Sequence, residues 1–227
     1  MLVAVGIALL AVLVAACVVL LLEHGGVAAA RSSLALAVIM AIEIILAGQG
    51  LLSRWDRVPP PILPVIGGAV LIAIATAFSP VGARVANLAP VGILVGFQAF
   101  RLPLELLMER AARDGLVPVQ MSFSGWNFDI LSGTLAIPVA IMAALGRESR
   151  RAILAWNVLG TLLLANIIAI AVASLPMFAA FGADRVNTWI AEPPYIWLPG
   201  VLVPSALFGH VVTWRKLARS PGPRAAT

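Results

Sequence analysis

Asn87, Gln98, Arg101 and Glu105 are the residues of this sequence whose types and spacing could do chemistry. With Leu94 they are separated by seven, four, three and four positions, so one helix would stack them on one face at its period of about 3.6 residues. The surrounding segment is apolar enough to lie in lipid. An ionisable group at membrane depth is costly, and it is retained where it has a partner and a task. Arg101 and Glu105 form an i, i+4 pair close enough to share a hydrogen bond. Pro103 lies between them, frees the carbonyl of Ala99 and predicts a kink. Were the helix to end near Leu102, these charges would simply snorkel to the headgroups. The apolar residues Leu102, Leu104, Leu106, Leu107 and Met108 around them favour a bundle interior.

A second polar island is Ser124-Gly125-Trp126-Asn127-Phe128-Asp129. Asn127 is a good N-cap for a following helix, and Asp129 would complement the dipole of its first turn. A helix that begins inside the membrane also presents free N–H groups to an anion. Asp129 could equally pair with Arg101, since both are predicted at the outer ends of consecutive antiparallel helices. The third candidate is Glu43, deep in its predicted span and without a local cation, for Arg31 and Arg54 are distant along the helix. It either meets an arginine from another helix, with Arg101 the natural choice, or carries a proton. Gln49 points off its face. The candidate ligand-binding set is therefore Glu43, Gln98, Arg101, Glu105, Asn127 and Asp129, with Arg101 at its centre.

Other polar residues carry less. Asn157 and Asn166 are nine positions apart and project in nearly opposite directions, as interhelical hydrogen-bonding groups do. His24 and His210 are both predicted near the inner ends of helices, and they do not supply the facing positions that axial haem ligation needs. No HExxH, clustered metal set, Gly-rich phosphate loop or Ser–His–Asp set is present, and the last helix has no lysine for a retinal Schiff base. The residues thus call for no cofactor and no metal, and an enzyme reading has no motif behind it.

The elements that must position these residues follow from composition. Of 227 residues, 62% are hydrophobic and 11% charged, and the mean hydropathy is +1.05. A soluble domain carries about 25% charged residues, so this chain cannot cover itself with a polar surface. It reads as all-α, a polytopic transmembrane bundle of the cell membrane, with the lipid bilayer as its first partner. Spans of about 20 apolar residues fall at Leu2–Leu22, Ser33–Leu52, Ile62–Phe78, Val85–Met108, Asn127–Leu145, Ala152–Met177 and Tyr195–Trp214. That makes seven, with six or eight the neighbouring counts. The third is short, and the sixth is long enough to break near Ser174-Leu175-Pro176. One transmembrane domain over 1–214 and a basic tail over 215–227 describe the organisation.

The net charge of +5 is distributed in a way that excludes nucleic acid as a partner. Arg31, Arg84, Arg147, Arg150, Arg151, Arg215, Lys216, Arg219 and Arg224 fall on one side, against Arg54, Arg57, Arg110, Arg113 and Arg185 on the other. The positive-inside rule puts the first group in the cytoplasm, the N-terminus outside and the C-terminus inside. Tryptophans 55, 126, 189 and 197 with Tyr195 then form an outer interfacial belt, and Trp156 and Trp214 an inner one. The first segment lacks a basic start and is longer than a signal core, so it reads as a retained helix. Cys17 has no partner for a disulfide. Gly92-xxx-Gly96 is a small-xxx-small pattern that serves packing within one chain or between copies in a homo-oligomer.

These features together predict an outer-half polar pocket for a small polar or anionic ligand, most simply in a small-solute transporter or permease. Arg101 would recognise the anion, Glu43, Glu105 and Asp129 would act as counter-charges or proton carriers, and Gln98 and Asn127 would orient the ligand. Two other classes fit the same residues: a non-catalytic sensor or structural subunit locked by its polar network, and an intramembrane lipid-modifying enzyme.

Overall fold

The computed structural model describes residues 1–219, so Arg224 and the tail beyond Arg219 lie outside the described residues. Helices α1 (Leu2–His24) and α2 (Ala29–Gly48) form an antiparallel pair at one flank. They are followed by α3 (Ile62–Phe78), α4 (Pro80–Leu88), α5 (Val91–Phe97) and α6 (Arg101–Arg113). A 3-10 turn, Gln98–Phe100, joins α5 to α6 in one continuous rod. Helices α7 (Ile130–Ala144), α8 (Arg150–Ala173) and α9 (Val203–Arg219) complete the bundle, α9 being led in by a π turn at Leu198–Leu202. Among the described residues there is no strand. Four stretches are long and apolar enough to cross a membrane: α1, α2, Val91–Arg113 and α8, or five if α3 and α4 count as one bent span.

The breaks have local causes. Ser79 ends α3 and caps α4, its hydroxyl accepting from the N–H of Val81 at 3.1 Å and of Gly82 at 3.4 Å while donating to Thr76 O at 2.7 Å. Pro80 then takes the first position of α4, where a missing N–H costs nothing, and the chain turns by 62°. Pro90 holds Ala89 in an extended conformation (φ −69°, ψ 131°) and separates α4 from α5. The single span predicted from Val85 is thereby cut, and Asn87 leaves the stripe for α4, where it accepts a hydrogen bond from Arg219 at 2.9 Å. The span beginning at Val91 has 23 residues, and Arg101 is its eleventh. The 3-10 turn comes just ahead of Pro103, whose absent N–H leaves the Ala99 carbonyl without its α-helical donor.

Helix α9 is the hub, packed against α3, α8, α4 and α5. Its basic end is employed inside the molecule. Arg215 donates to the carbonyls of Ala77 and Ser79, Lys216 to those of Ala86 and Ala89 at 3.0 and 2.9 Å, and Arg219 to that of Ala83 at 3.4 Å. Cations thus meet the carbonyl-rich ends of α3 and α4, the favourable sign for a helix C-terminus. Gly92 and Gly96 let α5 lie close to α7: a Cβ at either would come within 3.3 Å of Ala140. The small-residue pattern is therefore used within the chain.

Candidate functional site

Arg101 is 1% exposed, at the point where α6, α7, α8 and α9 come together. Two glycines make that approach possible. A Cβ on Gly133 would come within 2.9 Å of the Arg101 carbonyl carbon, and one on Gly160 within 2.7 Å of Ser132 Oγ. The guanidinium is almost fully engaged. Nε donates to Asp129 Oδ2 at 2.7 Å, and Nη2 donates to the same oxygen. Nη1 faces Ser132 Oγ at 3.0 Å, Gly160 O at 3.3 Å and His210 Nε2 at 2.9 Å.

Arginine only donates, so His210 Nε2 must accept. Its Nδ1 therefore carries the hydrogen and donates to Asn157 Oδ1 at 2.8 Å. Asn157 closes the circle by donating from Nδ2 to the His210 carbonyl at 3.3 Å. Trp156 lies beside the imidazole, ring centroids 5.4 Å apart, and donates from Nε1 to Ser132 O at 3.1 Å.

Glu105 does not pair with Arg101. An arginine placed N-terminal to its acid is the poorer helical order, and Asp129 offers the guanidinium a shared carboxylate oxygen instead. Glu105 Oε2 accepts from Asn127 Nδ2 at 2.6 Å. The same Nδ2 reaches Met121 O at 3.1 Å, and Asn127 Oδ1 accepts from the Asp129 N–H at 3.1 Å. Asn127 thus ties the 114–129 segment to α6 rather than capping α7, which starts three residues later. One turn on, Glu109 accepts from Ser124 N and Oγ at 3.2 and 2.6 Å and from Arg113 Nε at 2.8 Å. Two carboxylates of α6 therefore strap this segment down, and Asp129 is carried to Arg101 with it.

Beside this network is a cavity of about 140 Å³. Arg101, Glu105, Asn127 and Asp129 are on its wall, and the rest of the lining is apolar but for the indole N–H of Trp189. Two buried polar atoms of the lining residues have no partner among the described residues: Asp129 Oδ1 and Trp189 Nε1. Buried polar groups are normally paired, so each such exception calls for an explanation.

Gln98 and Glu43, the other two predicted site residues, do not line this cavity. Gln98 is fully buried and donates from Nε2 to Ala206 O at 2.9 Å, joining the α5–α6 rod to α9. Glu43 is carried by α2 to the π turn, where a Cβ on Gly200 would run into its carboxylate, and its Oε2 has no partner among the described residues. It forms no ion pair with Arg101, because α2 packs on α1 and the π turn and not on α6. Asn157, expected as an interhelical hydrogen-bonding group, joins α8 to α9 through His210; Ser132 and His210 are site residues that the sequence reading misses. His210 is the eighth residue of α9 and faces α8 at mid-helix, not at an inner end. The one sequence signal for it was a histidine inside an apolar run, which by itself does not choose a face.

Among the described residues no group of His, Cys, Asp and Glu could hold a metal ion. What the arrangement offers is an apolar chamber with Asp129 among its lining residues, backed by an almost fully engaged guanidinium. It is an all-α assembly with helices suited to crossing a membrane and a buried polar centre among them. The chain belongs to the family described as a domain of unknown function (DUF8737), which it matches over residues 61–218. That region takes in α3 through nearly all of α9, and so the whole Arg101 network, while Glu43 falls before it. No curated protein and no solved structure matches the chain.

Proposed function

We propose that this protein is a carrier of the cell membrane that crosses it seven times, N-terminus outside and C-terminus in the cytoplasm, and binds a small solute in the mid-depth cavity. Three features support seven crossings beyond the spans already described. Helix α7 is apolar though only 15 residues long. The π turn and α9 run on for five and 17 residues. The elbow of α3 and α4 returns the chain to the basic end. The excess of arginine at the start of α2, in α4, between α7 and α8 and at the start of α8 supports the orientation.

The observation that carries the binding reading is Asp129. It is 3% exposed, on the wall of an apolar cavity, with one carboxylate oxygen unpaired. The solute that complements it donates hydrogen bonds. Arg101 is then the counter-charge that keeps Asp129 in place rather than an anion receptor, because Asp129, Ser132, Gly160 and His210 already take up nearly all of its donors. The cavity is about 140 Å³, similar to the roughly 150 Å³ of an apolar cavity that holds benzene.

Benzyl alcohol, benzylamine and benzoate are accordingly suitable probes for protein in lipid nanodiscs. The alcohol or the amine raises the melting temperature, benzoate does not, and Leu202→Trp, which fills the cavity, abolishes the rise. If none of the three shifts melting, the binding reading fails. The satisfied guanidinium also favours a second reading, in which the network only locks a sensor or structural subunit. Counterflow of labelled benzylamine in proteoliposomes separates the two, since a lock binds without exchange.

A further inference from the structure

Toward the loops the cavity is lined by buried residues, and toward the side of the bundle by partly exposed aliphatic ones. Met121, Leu175, Trp189 and Ile190, all buried, roof it where the 114–129 and 174–194 segments meet. On the flank, Leu63, Ile66 and Val70, spaced three and four apart on one face of α3, stand across from Leu164, Ile168 and Val172, spaced four apart on α8. Helix α3 packs on α9 and the π turn, and α8 packs on α9 and α7, but the two do not pack on each other. The α3 residues of this slit are half-buried, and exposure on α8 rises along the row from Leu164 through Ile168 to Val172, which is 42% exposed.

All six are aliphatic. A slit of this composition is wetted by acyl chains and not by water. An aqueous solute approaching from the loop end meets the roof, whereas a molecule dissolved in the bilayer meets an opening that leads to Asp129. Cavity size limits what enters fully: a volume near that of benzene holds a head and its first carbons, and a longer chain must remain in the slit.

We infer that the slit between α3 and α8 is a lateral portal, and that the ligand is a single-chain amphiphile from the membrane. Its hydrogen-bond-donating head, a hydroxyl or an ammonium, meets Asp129, while its chain lies between Leu63–Val70 and Leu164–Val172. A hydroxyl can also accept from Trp189 Nε1; an ammonium instead balances the two carboxylates against the single guanidinium. The inference rests on the cavity being a binding site, and it adds the route and the class of ligand.

Photolabelling tests it. Octanol, octylamine and octanoate, each carrying a diazirine beside the head, are incorporated into phosphatidylcholine vesicles with the whole protein, and adducts are mapped by peptide mass spectrometry. The alcohol or the amine is expected on cavity residues such as Met108 and Leu202 and on the slit residues. The Ile66→Trp/Ile168→Trp double variant, checked for folding by its melting curve, is expected to lower cavity adducts about tenfold, equivalent to ~1.4 kcal/mol. The single variants serve if the pair does not fold. Cavity adducts unchanged by the tryptophans, or confined to the roof, overturn the portal and leave the cavity as a site. Equal labelling by octanoate overturns the donor head. A wild-type protein with no benzyl shift removes the cavity reading itself.

Discussion

At the scale of single residues, Arg101 decides the most. It is buried among Asp129, Ser132, Gly160 and His210, so deleting it strands a carboxylate and an imidazole acceptor at once. Removing one partner of a buried ion pair costs about 3–5 kcal/mol, and Arg101→Ala should lose that much in reversible denaturation in mixed micelles. Arg101→Lys keeps the charge but not the planar fork that reaches two elements together, so it recovers only part of the loss. A loss under about 1 kcal/mol for the alanine variant, the range of an exposed pair, would mean that the network is not formed. Arg101, Glu105, Asn127 and Asp129 were legible in the sequence because charge at membrane depth is rare and expensive. Their pairing was only half legible. The helical spacing pointed Arg101 at Glu105, while the partner it takes arrives from a segment folded back into the bundle. The places of His210 and Ser132 in the network were hidden for a different reason. Neutral polar groups are common in membrane helices, and the face of α9 that meets α8 is set by tertiary packing, not by periodicity.

At the scale of elements, close approach of α6 and α7 is what brings Asp129 to Arg101, and Gly133 governs it. A Cβ there would come within 2.9 Å of main-chain atoms of Arg101, and backbone does not yield as a flexible side chain does. Gly133→Ala should therefore lower the melting temperature, and with it any ligand-induced shift. Gly67→Ala and Gly68→Ala on α3 have nothing within 4 Å of the added carbon. They should be neutral or raise stability by up to about 1 kcal/mol, the helix preference for alanine. Equal melting of all three variants would contradict the packing described here. The ends of α1 and α3 were readable from sequence, since long apolar runs bounded by Gly25 and by Ser79-Pro80 leave little choice. The cut at Pro90 was not, because the apolar residues on both sides of it make one unbroken hydropathy signal. Hydropathy registers what a segment can dissolve in, and it does not register an extended residue in its middle.

At the scale of the whole molecule, charge and connectivity have to agree on one way of standing in a bilayer. The proposed seven crossings would put Arg31, the elbow of α3 and α4, Arg147–Arg151 and the end of α9 on one face, and the 49–61, 114–129 and 174–197 segments on the other. The first face holds the basic excess. Part of it is committed to helix-end carbonyls through Arg215, Lys216 and Arg219, but Arg84, Arg147 and Arg151 make no ion pair among the described residues and remain the charges that a cytoplasmic surface favours. In a Cys17→Ala background, cysteines at Asp56 and Asp184 should then react with a membrane-impermeant maleimide in intact cells, while cysteines at Arg31 and Glu148 react only after permeabilisation. These four positions are exposed and away from the Arg101 network, so the pattern reads topology and not folding. The reverse pattern would turn the molecule over while leaving the cavity and its α3–α8 slit intact, because neither depends on which face is cytoplasmic.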